Sequence, residues 1–134
     1  MEQILERHRG TKISVFVVWE PILPSDFMAP ATSVLRRVSD PRARHYWDRH
    51  HVLAKRMKQD ARAPQPAPSC CEQEGILWDL AAVYPKGARW EETLPPALLF
   101  DGPVVRIVEP IEAALLRGDP GVKSRPGPKN PLYL

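Results

Sequence analysis

The apolar and polar positions along this chain switch between a period of about 3.6 and runs of β-branched residues, and the switches predict the elements. Ile4, Leu5 and His8 fall along one side of a helix over residues 1–9, stopped by Gly10. The run Lys12-Ile13-Ser14-Val15-Phe16-Val17-Val18-Trp19 predicts a central strand, apolar on both faces from Val15 onward. Residues 20–26 leave that strand as a loop, and 31–38 suit a short helix or turn. Asp40-Pro41 then predicts a helix start, because Asp accepts from first-turn amides and Pro fits the first helical position. This helix is expected to run to about Gln59, with Ala43, Tyr46, Trp47, His50, Leu53, Ala54 and Met57 on its buried face.

Further along, 61–69 is a proline-rich connector. Gly75 to Tyr84 reads as a strand, or as a helix given its alanines, and Pro85-Lys86-Gly87 ends it. Leu94-Pro95-Pro96-Ala97-Leu98-Leu99-Phe100-Asp101-Gly102-Pro103-Val104-Val105-Arg106-Ile107 reads as a proline turn feeding a two-strand hairpin reversed at Asp101-Gly102, and Ile111 to Arg117 as a last helix. Beyond this the tail holds seven Pro or Gly in 118–134 and is expected to be disordered.

The proline turn, hairpin and final helix resemble the corresponding part of thioredoxin-like proteins. The resemblance spans residues 1–117 as one domain. It implies an α/β fold, a three-layer α/β/α arrangement around a central sheet of about four strands, with the first strand of the family missing. It also implies a cis proline at either Pro95 or Pro96, and a binding groove shaped by both. The family's Cys-x-x-Cys motif does not occur in the chain. Two explanations compete: a strand carrying that motif lies upstream of Met1, or the protein is a redox-dead relative that keeps the fold for binding. A sheet lacking its first strand would expose an edge, which invites homo-oligomer formation.

Composition narrows the class. With 134 residues, 43% hydrophobic and 26% charged, the chain suits one ordinary globular domain without staples. No apolar run approaches the roughly 20 residues of a membrane span, and residues 1–9 lack an apolar signal core, so the expected location is cytoplasmic. Residues 36–62 carry nine Lys or Arg against Asp40, Asp48 and Asp60. With Tyr46 and Trp47 assigned to the buried face, no stacking aromatic accompanies that charge. A solvated helix surface is favoured over a nucleic-acid site.

Cys70 and Cys71 are the only thiols. Adjacent Cα atoms stand about 3.8 Å apart, below the usual disulfide span, so free thiols are expected. They are the candidate catalytic residues. They are also candidate ligands for a soft ion such as mercury, copper(I) or arsenic, although Glu72 and Glu74 disfavour thiolates. No other cofactor is implied. His45, His50 and His51 do not share a helix face, and His50 alone joins the apolar stripe, as a core histidine bonded to a carbonyl. Glu20 and Asp26 are candidate binding residues because they follow the carboxyl end of the central strand. Phosphate-loop, HExxH and Ser-His-Asp patterns are absent. The functional expectation is a thiol redox protein of thioredoxin-like type, or its remnant, without disulfide-reductase turnover in this form and with protein disulfides as partners. The alternative is a non-catalytic module binding a peptide or soft metal through Cys70 and Cys71.

Overall fold

A computed structural model describes residues 1–60 and 68–118. In chain order the elements are α1 (Glu2–Arg7), β1 (Val15–Trp19), α2 (Thr32–Leu35), β2 (Ala43–Trp47), α3 (Val52–Asp60), β3 (Glu72–Gln73), β4 (Ile76–Leu77), β5 (Ala81–Val83), β6 (Leu99–Asp101), a 3-10 turn (Val104–Arg106) and α4 (Val108–Gly118). The class is α/β. The strands form three pairs, β1 with β2 in parallel and β3 with β4 and β5 with β6 antiparallel, where a single sheet of about four was expected. The proline connector lies outside the described residues over 61–67, and the tail does so from 119 onward.

The helix expected from Asp40 to Gln59 is instead a strand, a turn and a shorter helix. Asp40 does not cap a helix, because its carboxylate accepts from the Arg42 amide and guanidinium. Ala43, His45 and Trp47 then alternate with the exposed Arg44 and Tyr46, and the Arg-His-Tyr-Trp run takes the extended form favoured by aromatic residues. Tyr46 is therefore on the surface, with its ring 6.2 Å from that of the exposed Phe16. The helix begins later, where both carboxylate oxygens of Asp48 accept from the amides of Val52, Leu53 and Ala54. His45, not His50, is the histidine bonded to a carbonyl. The Trp19 indole N–H donates to its Nδ1 at 2.9 Å, so its Nε2 carries the proton that reaches the Val38 carbonyl at 2.9 Å. His50 is exposed.

The segment 75–84 forms two strands, because Asp79 takes a left-handed conformation (φ 45°) that an aspartate tolerates and a continuous ladder does not. The hairpin expected over 98–107 is not formed within that segment. Leu99–Asp101 pairs back onto Ala81–Val83, and the chain leaves β6 at Pro103, which has no amide to continue a ladder. The cis peptide bond is at Gly102–Pro103, not at Pro95 or Pro96.

Two apolar clusters hold these pieces. Ile4 of α1 packs with Ile107 and Ile111, against Ala81, Val83 and Leu99. Leu77, Leu94 and Phe100 form the second, reached by Met57 of α3 and by Tyr84. The Tyr84 hydroxyl is buried without a partner among the described residues, and burial pushes its pKa up to about 12. One polar clamp joins the clusters to the parallel pair. The Arg42 guanidinium donates to the carbonyls of Leu5, His8 and Thr11 at 2.7, 2.7 and 3.0 Å, closing the end of α1, while Asp40 holds its other side.

Three outcomes follow for stability. Arg42→Lys, which cannot reach three carbonyls from one fork, is expected to destabilise by about 1–2 kcal/mol in urea unfolding. The Asp40 carboxyl is held at about 2, chiefly by the Arg42 side chain, below its unfolded value of 3.8. Its contribution is therefore complete above pH ~4 and is lost as the pH falls toward 2, and Asp40→Asn is expected to flatten that part of the stability curve. Tyr84→Phe removes the unpaired hydroxyl, and is expected to leave stability unchanged or raise it by up to about 1 kcal/mol in the same measurement.

Candidate thiol site

The loop 69–71 enters the short β3–β4 hairpin and rests on the end of β6. Ser69 fastens it: its amide and its hydroxyl both donate to Asp101 Oδ1, at 2.7 and 2.8 Å, and the hydroxyl also reaches the Gly102 carbonyl at 3.2 Å. These donors, the Ser69 amide first, hold the Asp101 carboxyl below its ordinary range. On the far side the Trp78 amide donates to the Cys71 carbonyl at 3.0 Å. Cys71 is in the left-handed region (φ 73°), so the chain turns sharply between these two anchors.

Cys70 and Cys71 are joined as a disulfide, where free thiols were expected. The Cα atoms stay 3.7 Å apart, so the bond is formed at a spacing below the usual disulfide span. The two cysteines differ in exposure. Cys71 is 8% exposed, whereas Cys70 is partly exposed. Gly102 explains the seal over Cys71, since a Cβ at that position would stand 2.9 Å from the Cys71 sulfur and 2.5 Å from the Asp79 carbonyl oxygen. Asp79 secures the same corner from the other direction, its carboxylate accepting from the Val104 amide at 3.3 Å. Carboxylates dominate the surroundings, with Glu72 and Glu74 on the hairpin, and Lys58 reaching Glu72 at 2.6 Å.

The other candidate residues lie elsewhere. Pro95 and Pro96 line a separate open cleft of about 490 Å³ with Glu91, Glu92 and Thr93. That loop is fastened to α3 by Arg56 on the Glu92 carbonyl and by the Trp90 indole on Asp60. Asp26 is occupied within its own turn, accepting from the Ile22 and Leu23 amides. Glu20 pairs with His51 Nδ1 at 2.8 Å, and burial pushes its carboxyl up despite that partner. Among the described residues no group of three or more His, Cys, Asp or Glu is arranged to hold a metal ion, and no helix is long and apolar enough to cross a membrane.

Ser69, Asp79, Asp101 and Gly102 are site residues that the sequence does not mark as such. The one available signal was Asp101-Gly102-Pro103, which reads equally as a simple turn. Compared with known proteins, the chain matches no family model, no curated protein and no solved structure.

The seal over Cys71 can be tested by filling it. Gly102→Ala is expected to cost about 1–3 kcal/mol in urea unfolding, because the new methyl meets backbone and sulfur with no flexible neighbour to give way. The Ser69 clamp has its own readout: the Ser69 amide should be protected from hydrogen exchange at pH 7. Since Asp101 titrates below its unfolded value, that protection should fall as the pH drops through the aspartate range, and it should be missing at every pH in Asp101→Ala.

Proposed function

We propose that this chain is a thiol redox protein of thioredoxin-like layout whose working couple is the Cys70–Cys71 disulfide. The observation that carries this reading is the unequal exposure of two bonded cysteines, Cys70 partly exposed and Cys71 buried with its sulfur close against Gly102. The layout is supported by the order α1, parallel β1 and β2, α3, antiparallel β5 and β6, and α4. Each of those strand pairs leaves an edge open among the described residues.

The chemistry is thiol–disulfide exchange. A donor thiolate attacks one sulfur of the pair, forming a mixed disulfide and releasing the other cysteine as a thiolate that takes a proton. A second donor thiol resolves the mixed disulfide, and two electrons and two protons have reached the pair. The reduced pair returns them to a partner disulfide by the reverse path. A general disulfide reductase needs a thiol of lowered pKa, and Cys70 and Cys71 lead into a short strand beside carboxylates, not into a helix N-terminus. Insulin reduction at thioredoxin-like rates is therefore not expected.

A second reading, peptide binding, is favoured by the cleft at Pro95 and Pro96, whose lining of Leu94, Glu91, Glu92 and Arg89 offers a peptide both apolar and charged contacts. Thiol trapping in dithiol redox buffers, followed by circular dichroism, separates the two readings. The redox reading expects both thiols to appear together and reversibly while the fold is kept. Reduction that occurs only together with unfolding would refute it and leave the cleft as the site.

A further inference from the structure

We propose that the electron donor for this disulfide is a dithiol, that it attacks at Cys70, and that monothiols are rejected. This rests on the redox reading above and names the class of its partner. Exchange requires the incoming sulfur to lie in line with the bond being broken. The Cys71 sulfur packs close against Gly102, where a Cβ would stand 2.9 Å from it, and Cys71 itself is 8% exposed. Cys70 is the partly exposed partner, on the loop that Ser69 holds against Asp101. The electrophile is the Cys70 sulfur, and the departing group is the Cys71 thiolate.

That departing thiolate is poorly served. It is left in a buried corner whose neighbouring segments carry Asp79, Asp101, Glu72 and Glu74; of the two lysines beside this hairpin among the described residues, Lys58 is taken by Glu72 and Lys55 stands beside Glu74. Burial and like charge both favour its return to a neutral bond. The return is also close at hand, because the mixed disulfide sits on the adjacent residue and its attack needs no second molecule. A second monothiol molecule at millimolar concentration loses that race, and the mixed disulfide collapses back to the Cys70–Cys71 bond with the donor released unchanged. A dithiol carries its own second sulfur, which attacks the donor's bonded sulfur, closes the donor as a disulfide and expels Cys70 as a thiol. One dithiol is oxidised and one disulfide reduced, and the products balance in electrons and protons.

Two measurements on the full 134-residue chain test this. Oxidised protein is mixed with dithiothreitol, or with glutathione at equal thiol concentration, and then alkylated rapidly and read by mass. Reduction by dithiothreitol is expected to be at least about tenfold faster per thiol, with no glutathione adduct accumulating. In parallel, Cys71→Ser and Cys70→Ser are exposed to oxidised glutathione while folded. Cys71→Ser is expected to form a stable adduct on Cys70, and Cys70→Ser to react at least about tenfold more slowly, its remaining thiol being sealed. Equal rates with the two donors, or an adduct formed as readily on Cys71, would overturn the proposal while leaving the redox reading intact. If neither donor reduces the folded chain, the redox reading fails with it.

Discussion

One guanidinium ties the first helix to the parallel strand pair, and the packing of the disulfide's platform builds on that tie. Arg42 stands at the start of β2 and donates to three carbonyls at the end of α1 and the turn beyond it, so the last orphan acceptors of that helix are satisfied from a distant strand. The carbonyl of the same residue accepts from the Val15 amide at 3.1 Å, where β1 begins to pair with β2. The helix so fixed carries Ile4 into the cluster shared by β5, β6 and α4, while Arg7 reaches Glu112 on α4 at 2.6 Å. The parallel pair and the antiparallel pair are thus held through α1, and β6 is the platform on which the disulfide loop rests.

That arrangement makes the thiol site a property of tertiary packing more than of local sequence. The Cys-Cys dipeptide is visible in any reading of the chain, but what makes its sulfurs unequal comes from Gly102 and Asp79, on other strands' ends. The turn at Cys71 is stabilised from both sides, by Ser69 on Asp101 and by the Trp78 amide on the Cys71 carbonyl. Few apolar contacts are needed for this, since the loop is held by charge-assisted and backbone hydrogen bonds over a small area.

The elements legible in the sequence are those whose own pattern decides them. Ile4 and Leu5 mark α1, Val15 to Trp19 mark β1, and Ile111 and Ala114 mark α4, each by spacing that packing then uses. The segment 40–59 departs from its expected helix for a physical reason. Ala43, Tyr46 and Trp47 fit a helical period as well as a strand, and Asp40-Pro41 has the form of a cap, so nothing local reveals that Arg42 claims the Asp40 carboxylate. Likewise Glu20 stands out as an acid at a strand end, while its partner His51 becomes its neighbour only after the chain has turned at Asp48. The sulfur pair was recognisable as chemistry, but its bonded state was not, because the left-handed backbone at Cys71 depends on anchors at residues 78 and 101.

A bond between neighbours along the chain encloses no loop. Cross-links that join distant residues hold a fold together by restricting the unfolded ensemble, and the restriction grows with the length of chain enclosed. With a sequence separation of 1, the Cys70–Cys71 bond restrains almost nothing in the unfolded state. The chain therefore does not lean on this bond for its entropy of folding, and whatever the bond contributes it contributes through the folded state alone.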